Sequence, residues 1–296
     1  MKKKILIFGG SGLVGSVFIE SSKDLFEIIS IYNTNSHQIH NVISKKIDFL
    51  NERQKISSII ENQKPDVIIN TVAYPSVDFC EFNHNLTDQL HVDVVKDIVS
   101  TASRINCKVI FLSTDAVFDG KINKKYTEED VPEPVNYYGL SKLKAEQLVL
   151  ENPHNVVLRT AVIYGWHEKS RFTNWILGYL KENKKVDPFI DQFNTPTLVD
   201  DLVKSMIKII ELDVSGLFHA TGKTCINRFD FAKKLAISFG YDEKLVIPVT
   251  SKQKKQDAPR PKSTCLDSSK LENLINFQFM DIDHGISFIL DKSRDV

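Results

Sequence analysis

The 296-residue chain has no apolar run approaching the ~20 residues that a bilayer-spanning helix needs, and runs such as Ile5–Phe8 and Val67–Ile69 have the length of strands. It carries no net charge, because 38 lysines and arginines balance 38 aspartates and glutamates. The lysine clusters at Lys2–Lys4 and Lys252–Lys255 read as solvated surface, so the basic footprint of a nucleic-acid binder is missing. Cysteine is scarce. Cys80, Cys107, Cys225 and Cys265 form no close pair and no metal-ligand spacing, which excludes a stapled mini-scaffold or zinc module and leads us to expect four reduced thiols. The three early lysines are followed by only four apolar residues before the glycines begin, too few for a signal-peptide core, so a cytoplasmic protein is expected. Internal repeats and low-complexity tracts are also absent. What is present, 42% hydrophobic residues over roughly 300 positions, can bury a full globular core without disulfides or metals.

Short apolar runs alternate with stretches of helical period. Ile5–Phe8, Ile28–Tyr32, Val67–Thr71, Val109–Ser113 and Val156–Thr160 read as strands, with a further short one at Ile47–Asp48. Leu13–Ser22, Asn51–Gln63, about 85–105 and Tyr138–Asn152 repeat apolar residues every three or four positions. A βαβ series of this kind predicts an α/β fold: a doubly wound parallel sheet, the Rossmann arrangement, covered on both faces. After Gly165 the alternation stops. Arg171–Leu180, Val199–Leu212 and Phe229–Phe239, the last capped by Asn227, read as helices, and Ser251–Ser263 as a polar loop. The expected division is 1–165 plus about 195–220 for the cofactor domain, and about 166–194 plus 221–296 for a smaller α/β substrate lobe.

The first strand runs into Gly9-Gly10-Ser11-Gly12-Leu13-Val14-Gly15 and then a helix. Glycines at the first, fourth and seventh positions permit a tight turn, close approach of a pyrophosphate, and close packing of helix on strand. Gly9, Ser11, Gly12, Leu13 and Val14 are therefore candidate dinucleotide contacts. A carboxylate about 20 residues later would favour NAD, yet no aspartate or glutamate occurs between Ile28 and Ile47. The strand end offers Asn33, Thr34 and Asn35, with His37, His40, Lys45 and Lys46 unplaced, which favours NADPH while leaving NADH possible. Asp48 and Phe49 follow, either to hold an adenine or to serve as a helix cap beside a core phenylalanine.

Tyr138 and Lys142 stand four apart at the start of a helix, on one face, while the strand Val109–Ser113 delivers Thr114 to the same carboxyl edge of the sheet. The three suit carbonyl reduction. Tyr138 can donate a proton, Lys142 can stabilise the phenolate and hold the nicotinamide ribose, and Thr114 can hydrogen-bond the carbonyl oxygen as charge grows there. Tyr138, not Tyr137, has the required spacing.

Together with Asp66–Asn70 running to Val77-Asp78 and Glu81, Ser113–Asp115, Val117–Gly120, Tyr138–Lys142 continuing to Glu146, Leu158–Thr160, Tyr164-Gly165, Gln192-Phe193, Thr195–Thr197, Arg260-Pro261, Leu266-Asp267 and Lys270-Leu271, these segments give the chain its likeness. It resembles an extended short-chain dehydrogenase/reductase and, within that class, the dTDP-4-dehydrorhamnose reductase family, over nearly its whole length. The resemblance implies NADPH-dependent reduction of a 4-keto-6-deoxy sugar on a nucleoside diphosphate, the last step toward dTDP-L-rhamnose, with Thr114, Tyr138 and Lys142 as the catalytic set. It further implies that Ala73 and Tyr74 border the cofactor, that Asp78 and Asp115 belong to the substrate side, and that Arg260 faces the sugar nucleotide or lies in a surface loop. A homodimer is one possible assembly.

Two positions depart from the family pattern. An aromatic after Thr-Asp and a tryptophan after Arg-Thr would line the sugar, whereas this chain has Ala116 and Val162, removing stacking surface that Trp166 could partly replace. Val17 stands where some members carry acidic residues for an intersubunit metal, so no metal is expected. Reductase is the leading reading. A non-catalytic NADP-binding module resembling the β subunit of methionine adenosyltransferase, and a sugar-nucleotide dehydratase or epimerase, are the alternatives; Ala116 cannot serve as a dehydratase's acid. His84 and His91, seven apart, are expected to be a helix-surface pair, and Asp78 and Glu81 either contact substrate or cap a helix.

Overall fold

A computed structural model of the chain describes residues 2–34, 42–121 and 124–294. Asn35, His37 and His40 lie outside the described residues. The first half runs Lys4–Phe8 (β1), Leu13–Ser22 (α1), Glu27–Tyr32 (β2), Ile43–Lys46 (β3), Lys55–Gln63 (α2), Val67–Asn70 (β4), Val77–Phe82 (α3), His84–Asp88 (α4), a π-helical turn at Gln89–Asp93, Val94–Arg104 (α5), Lys108–Thr114 (β5), Tyr137–Leu150 (α6) and Val156–Thr160 (β6). The second half runs Ile163–Tyr164 (β7), Arg171–Lys181 (α7), Phe193–Asn194 (β8), Thr197–Leu198 (β9), Val199–Glu211 (α8), Gly216–His219 (β10), Ile226–Asn227 (β11), Arg228–Ser238 (α9), Ser269–Ile275 (α10) and Ile282–Arg294 (α11).

Seven parallel strands form one sheet in the order β10-β6-β5-β4-β1-β2-β3. The doubly wound architecture expected from the βαβ series is present. Alternate residues of β1 explain why its run is apolar throughout: Ile5 and Ile7 enter the core on one face with Phe18 and Met206, while Leu6 and Phe8 enter the other with Phe49, Ile56 and Ile98. The chain reverses direction of winding between β1 and β4, and that switch opens a crevice at the strands' carboxyl ends. A separate cluster of Tyr164, Phe172, Ile176, Phe231, Leu235 and Ile286 joins α7, α9 and α11 above that edge.

Several expectations are corrected. The short strand lies at Ile43–Lys46 rather than Ile47–Asp48, because pairing with β2 ends at Tyr32 opposite Lys46, and Ile47 turns into the core. The single helix expected over 85–105 is broken by the π-helical turn. The strand β10, unforeseen, pairs with β6 and closes the sheet. Cys225 and Cys265 form a disulfide across 40 residues, contrary to the expected four free thiols; Cys80 and Cys107 are free and buried. Sequence spacing could not reveal this pairing, since only the folded lobe brings β11 beside the 258–268 loop. No helix among the described residues is long and apolar enough to cross a membrane.

Candidate active site

A cavity of about 680 Å³ occupies the crevice. Its sheet-side wall starts with Ser11, Gly12, Leu13 and Val14. Gly9 adopts φ +88°, a conformation L side chains rarely take, and its carbonyl accepts the Gly12 N–H at 2.9 Å to close the turn. A methyl group on Gly15 would stand 2.3 Å from the Gly9 oxygen and 2.7 Å from Gly10 Cα, so the helix can lie against the turn only without one. Gly12 caps α1 with no side-chain acceptor, and the first turn holds no acid. The first N–H groups of α1 thus point their positive end at the cavity unneutralised, which suits a dinucleotide's pyrophosphate.

Thr114, Tyr138 and Lys142 converge on the same cavity. Asn136 starts α6 by accepting the Gly139 N–H at 2.9 Å, and its amide donates to the Pro259 carbonyl at 3.0 Å. Helical spacing then stacks Tyr138 and Lys142. The Lys142 ammonium is buried, donates to the Leu112 carbonyl at 2.7 Å and lies 4.0 Å from the centre of the Phe111 ring. Burial pulls its pKa down to about 7, with Glu146 opposing that shift. Burial pushes the Tyr138 phenol up to about 12, with Thr114 opposing. The tyrosine therefore keeps its proton near neutrality. Tyr137 points elsewhere: its hydroxyl donates to Asp88 at 2.7 Å and its ring stacks on His84 at 3.5 Å.

Behind this pair lies a buried polar layer. Glu146 receives Arg159 through Nε at 3.0 Å and Nη2 at 2.7 Å, and Ser113 Oγ at 2.5 Å, locking α6 to β5 and β6. His91 is fully buried rather than on the helix surface, because the π-helical turn rotates it inward. Its Nε2 accepts the Tyr74 N–H at 2.8 Å, so Nδ1 carries the proton and donates to Ser141 Oγ at 2.8 Å; Ser141 in turn donates to the Tyr138 carbonyl at 2.8 Å. Burial lowers the His91 pKa to about 3, and the ring stands edge-on to Tyr138 at 5.7 Å.

The opposite wall is assembled from distant segments. Asp115, buried, accepts Asn194 Nδ2 at 2.6 Å and the Thr264 hydroxyl on one oxygen, and Thr114 Oγ1 at 3.2 Å on the other. Burial raises its pKa against those three donors. Arg260 lines the cavity but donates to Asp78 at 2.9 Å and to the Ala258 carbonyl at 2.8 Å, so Asp78 reaches the site through Arg260. Val162 lines it in a strained backbone, φ +39° on a β-branched residue.

Of the other candidates, Ala73 lines the cavity. Tyr74 packs its ring on Phe79 at 4.7 Å, with its N–H held by His91. Asp48 accepts the Leu50 and Asn51 N–H groups at 3.0 Å each, and Phe49 is core beside Phe8, so neither side chain is among those lining the cavity. Asn33 sits at the end of β2, outside the cavity's lining. Asn194, Arg228, Thr264 and Arg171 line it without having been foreseen. Asn194 falls between the family segments Gln192-Phe193 and Thr195–Thr197, and Thr264 between Arg260-Pro261 and Leu266-Asp267, so the resemblance passed over both.

The RmlD substrate binding domain model matches residues 2–294. The chain is 31% identical over 245 residues to a dTDP-4-dehydrorhamnose reductase of Aggregatibacter actinomycetemcomitans, covering 79% of this chain and 83% of that one. It is 30% identical over 282 residues to methionine adenosyltransferase 2 subunit beta of Rattus norvegicus, covering 92% and 82%. A crystal structure of dTDP-4-dehydrorhamnose reductase from Bacillus anthracis in complex with NADP superposes with TM-score 0.88 at 25% identity, covering 99% of this chain and all of that one.

Proposed function

The chain belongs to the RmlD substrate binding domain family, and from that premise we propose that it is an NADPH-dependent reductase of the 4-keto group of a nucleoside-diphosphate 4-keto-6-deoxy sugar, with dTDP-4-dehydro-L-rhamnose giving dTDP-L-rhamnose as the leading substrate. The observation that carries this reading is the meeting of Thr114, Tyr138 and Lys142 with the glycine turn in one cavity. In this reading residues 1–165 with about 195–220 hold the cofactor, and about 166–194 with 221–296 hold the sugar nucleotide. The protein would act in the cytoplasm, and NADH could serve in place of NADPH.

The uncapped start of α1 and the lack of an acid at the end of β2 suit a phosphorylated dinucleotide, which supplies the hydride when bound. Thr114 would orient the ketone oxygen. Tyr138, protonated at neutral pH, would deliver its proton to that oxygen as negative charge grows. Lys142 would then stabilise the phenolate, with Glu146, Arg159 and Ser113 holding α6 in place beneath it.

A second reading, an NADP-binding regulatory subunit, draws on the 30% identity to the methionine adenosyltransferase β subunit and on the missing aromatic at Ala116 and tryptophan at Val162. Nicotinamide absorbance followed with dTDP-4-dehydro-L-rhamnose generated in place separates the two. Turnover by the native chain, falling a hundredfold or more in Tyr138→Phe, supports the reductase. NADPH binding with no turnover on any 4-keto sugar nucleotide would favour the regulatory subunit.

A further inference from the structure

Resting on the nucleotide-sugar reading, we propose that Arg228 holds the diphosphate of the sugar nucleotide. It is the first residue of α9, and it lines the cavity from the lobe side. The helix start is already satisfied by its own cap: Asn227 accepts the Asp230 N–H at 2.7 Å and donates to the Asp230 carboxylate at 2.7 Å. The arginine is therefore not needed there. Its Nε is buried with no hydrogen-bond partner, and it makes no ion pair among the described residues.

Neighbouring arginines differ. Arg260 is committed to Asp78 and Ala258, Arg171 donates to the Pro75 carbonyl at 3.1 Å, and Arg159 belongs to Glu146. Among the described residues Asp115 is the single carboxylate on the cavity wall, and both of its oxygens are occupied by Asn194, Thr264 and Thr114. Against it stand Lys142, Lys169, Arg171, Arg228 and Arg260. Burial and Arg260 both work against the charge on Arg228, and Asp115 alone works for it. A desolvated guanidinium without a partner calls for an anion from the ligand, and its planar fork matches phosphate oxygens. The dinucleotide's own pyrophosphate belongs at the start of α1, on the sheet side. What remains for Arg228 is the diphosphate of the second ligand.

Calorimetric titration of the NADP-saturated full chain with dTDP, and separately with thymidine, tests this in the native protein, Arg228→Gln and Arg228→Lys. We expect Arg228→Gln to weaken dTDP at least tenfold and Arg228→Lys to weaken it less, with NADP affinity within twofold of native in both and thymidine binding unchanged. Retained NADP affinity certifies the fold of each variant. Native binding of dTDP that Arg228→Gln leaves intact overturns the role of Arg228 alone. A native chain that binds NADP and no nucleoside diphosphate overturns the nucleotide-sugar reading, and this proposal with it. Should Arg228→Gln fail to fold, a native-like dTDP affinity in Arg228→Lys at raised salt, where a charge-assisted contact should weaken, counts against it.

Discussion

On the cofactor side of the cleft the groups facing the cavity come from contiguous stretches, Ser11–Val14 and the turn of helix from Tyr138 to Lys142; on the opposite wall Asp115, at the end of β5, and Asn194, Arg228 and Thr264 come from four segments spread over 149 residues. The first wall takes its local shape from bonds within a few residues, such as Gly12 to Gly9 and Gly139 to Asn136, and long-range bonds such as Lys142 to Leu112 then seat it on the sheet. The second is held by contacts that exist only after folding, and by the bridge from Cys225 to Cys265. Cofactor chemistry thus sits on a locally determined frame, while the substrate wall can change by single replacements at positions such as Ala116 and Val162.

The strongest blow to the local wall is Gly15→Ala. Its methyl meets backbone that cannot give way, so we expect NADP affinity to fall a hundredfold or more, measured by calorimetry. Gly178→Ala on α7, where nothing lies within 4 Å, is the matched control and should add about 0.5–1 kcal/mol of stability. Equal behaviour of the two would mean the turn tolerates a side chain.

Cutting the remote wall's covalent tie should act on stability and on the second ligand instead of on the cofactor. Cys225→Ser is expected to lower stability by roughly 3–4 kcal/mol through the freed 40-residue loop, and to weaken nucleotide binding while sparing NADP. Thiol counting on the denatured native chain provides the check: two free thiols agree with the bridge, and four would remove it from the comparison.

The smallest expected effect concerns acid. His91 is neutral when folded, with a pKa near 3 against 6.5 when unfolded, so its contribution is complete above pH 6.5 and is lost as pH falls toward 3. At pH 5 the loss is about 2 kcal/mol relative to pH 7. His91→Gln, which can still accept from Tyr74 and donate to Ser141, should flatten the drop in urea midpoint by that amount. Parallel pH curves for native and variant would show that His91 is not held neutral. His219, also lowered to about 3 by burial, keeps its own share of the slope in both proteins.

Much of the sheet side was readable because a short rule generates it: glycine spacing makes the turn, and a separation of four residues on a helix makes the Tyr138–Lys142 pair. His91 escaped because its position on a helix face depends on one extra residue per turn at Gln89–Asp93, which hydrophobic period does not register. Asp48 and Phe49 had two readings from sequence; Phe49 is buried in the core, while Asp48 accepts the Leu50 and Asn51 N–H groups of a turn and caps no helix, α2 being preceded by Gln54.

By itself the sequence determined the doubly wound sheet, the glycine turn and the helical phase that joins tyrosine to lysine, since each depends on side-chain period and backbone freedom over a few residues. Tertiary structure decided the rest: which acid meets Asn194 and Thr264, which cysteines join, and which arginine is left in the cleft without a partner. Those outcomes depend on where the lobe's separate segments pack, and on burial, which with Arg260 nearby leaves the Arg228 Nε desolvated and without a hydrogen bond.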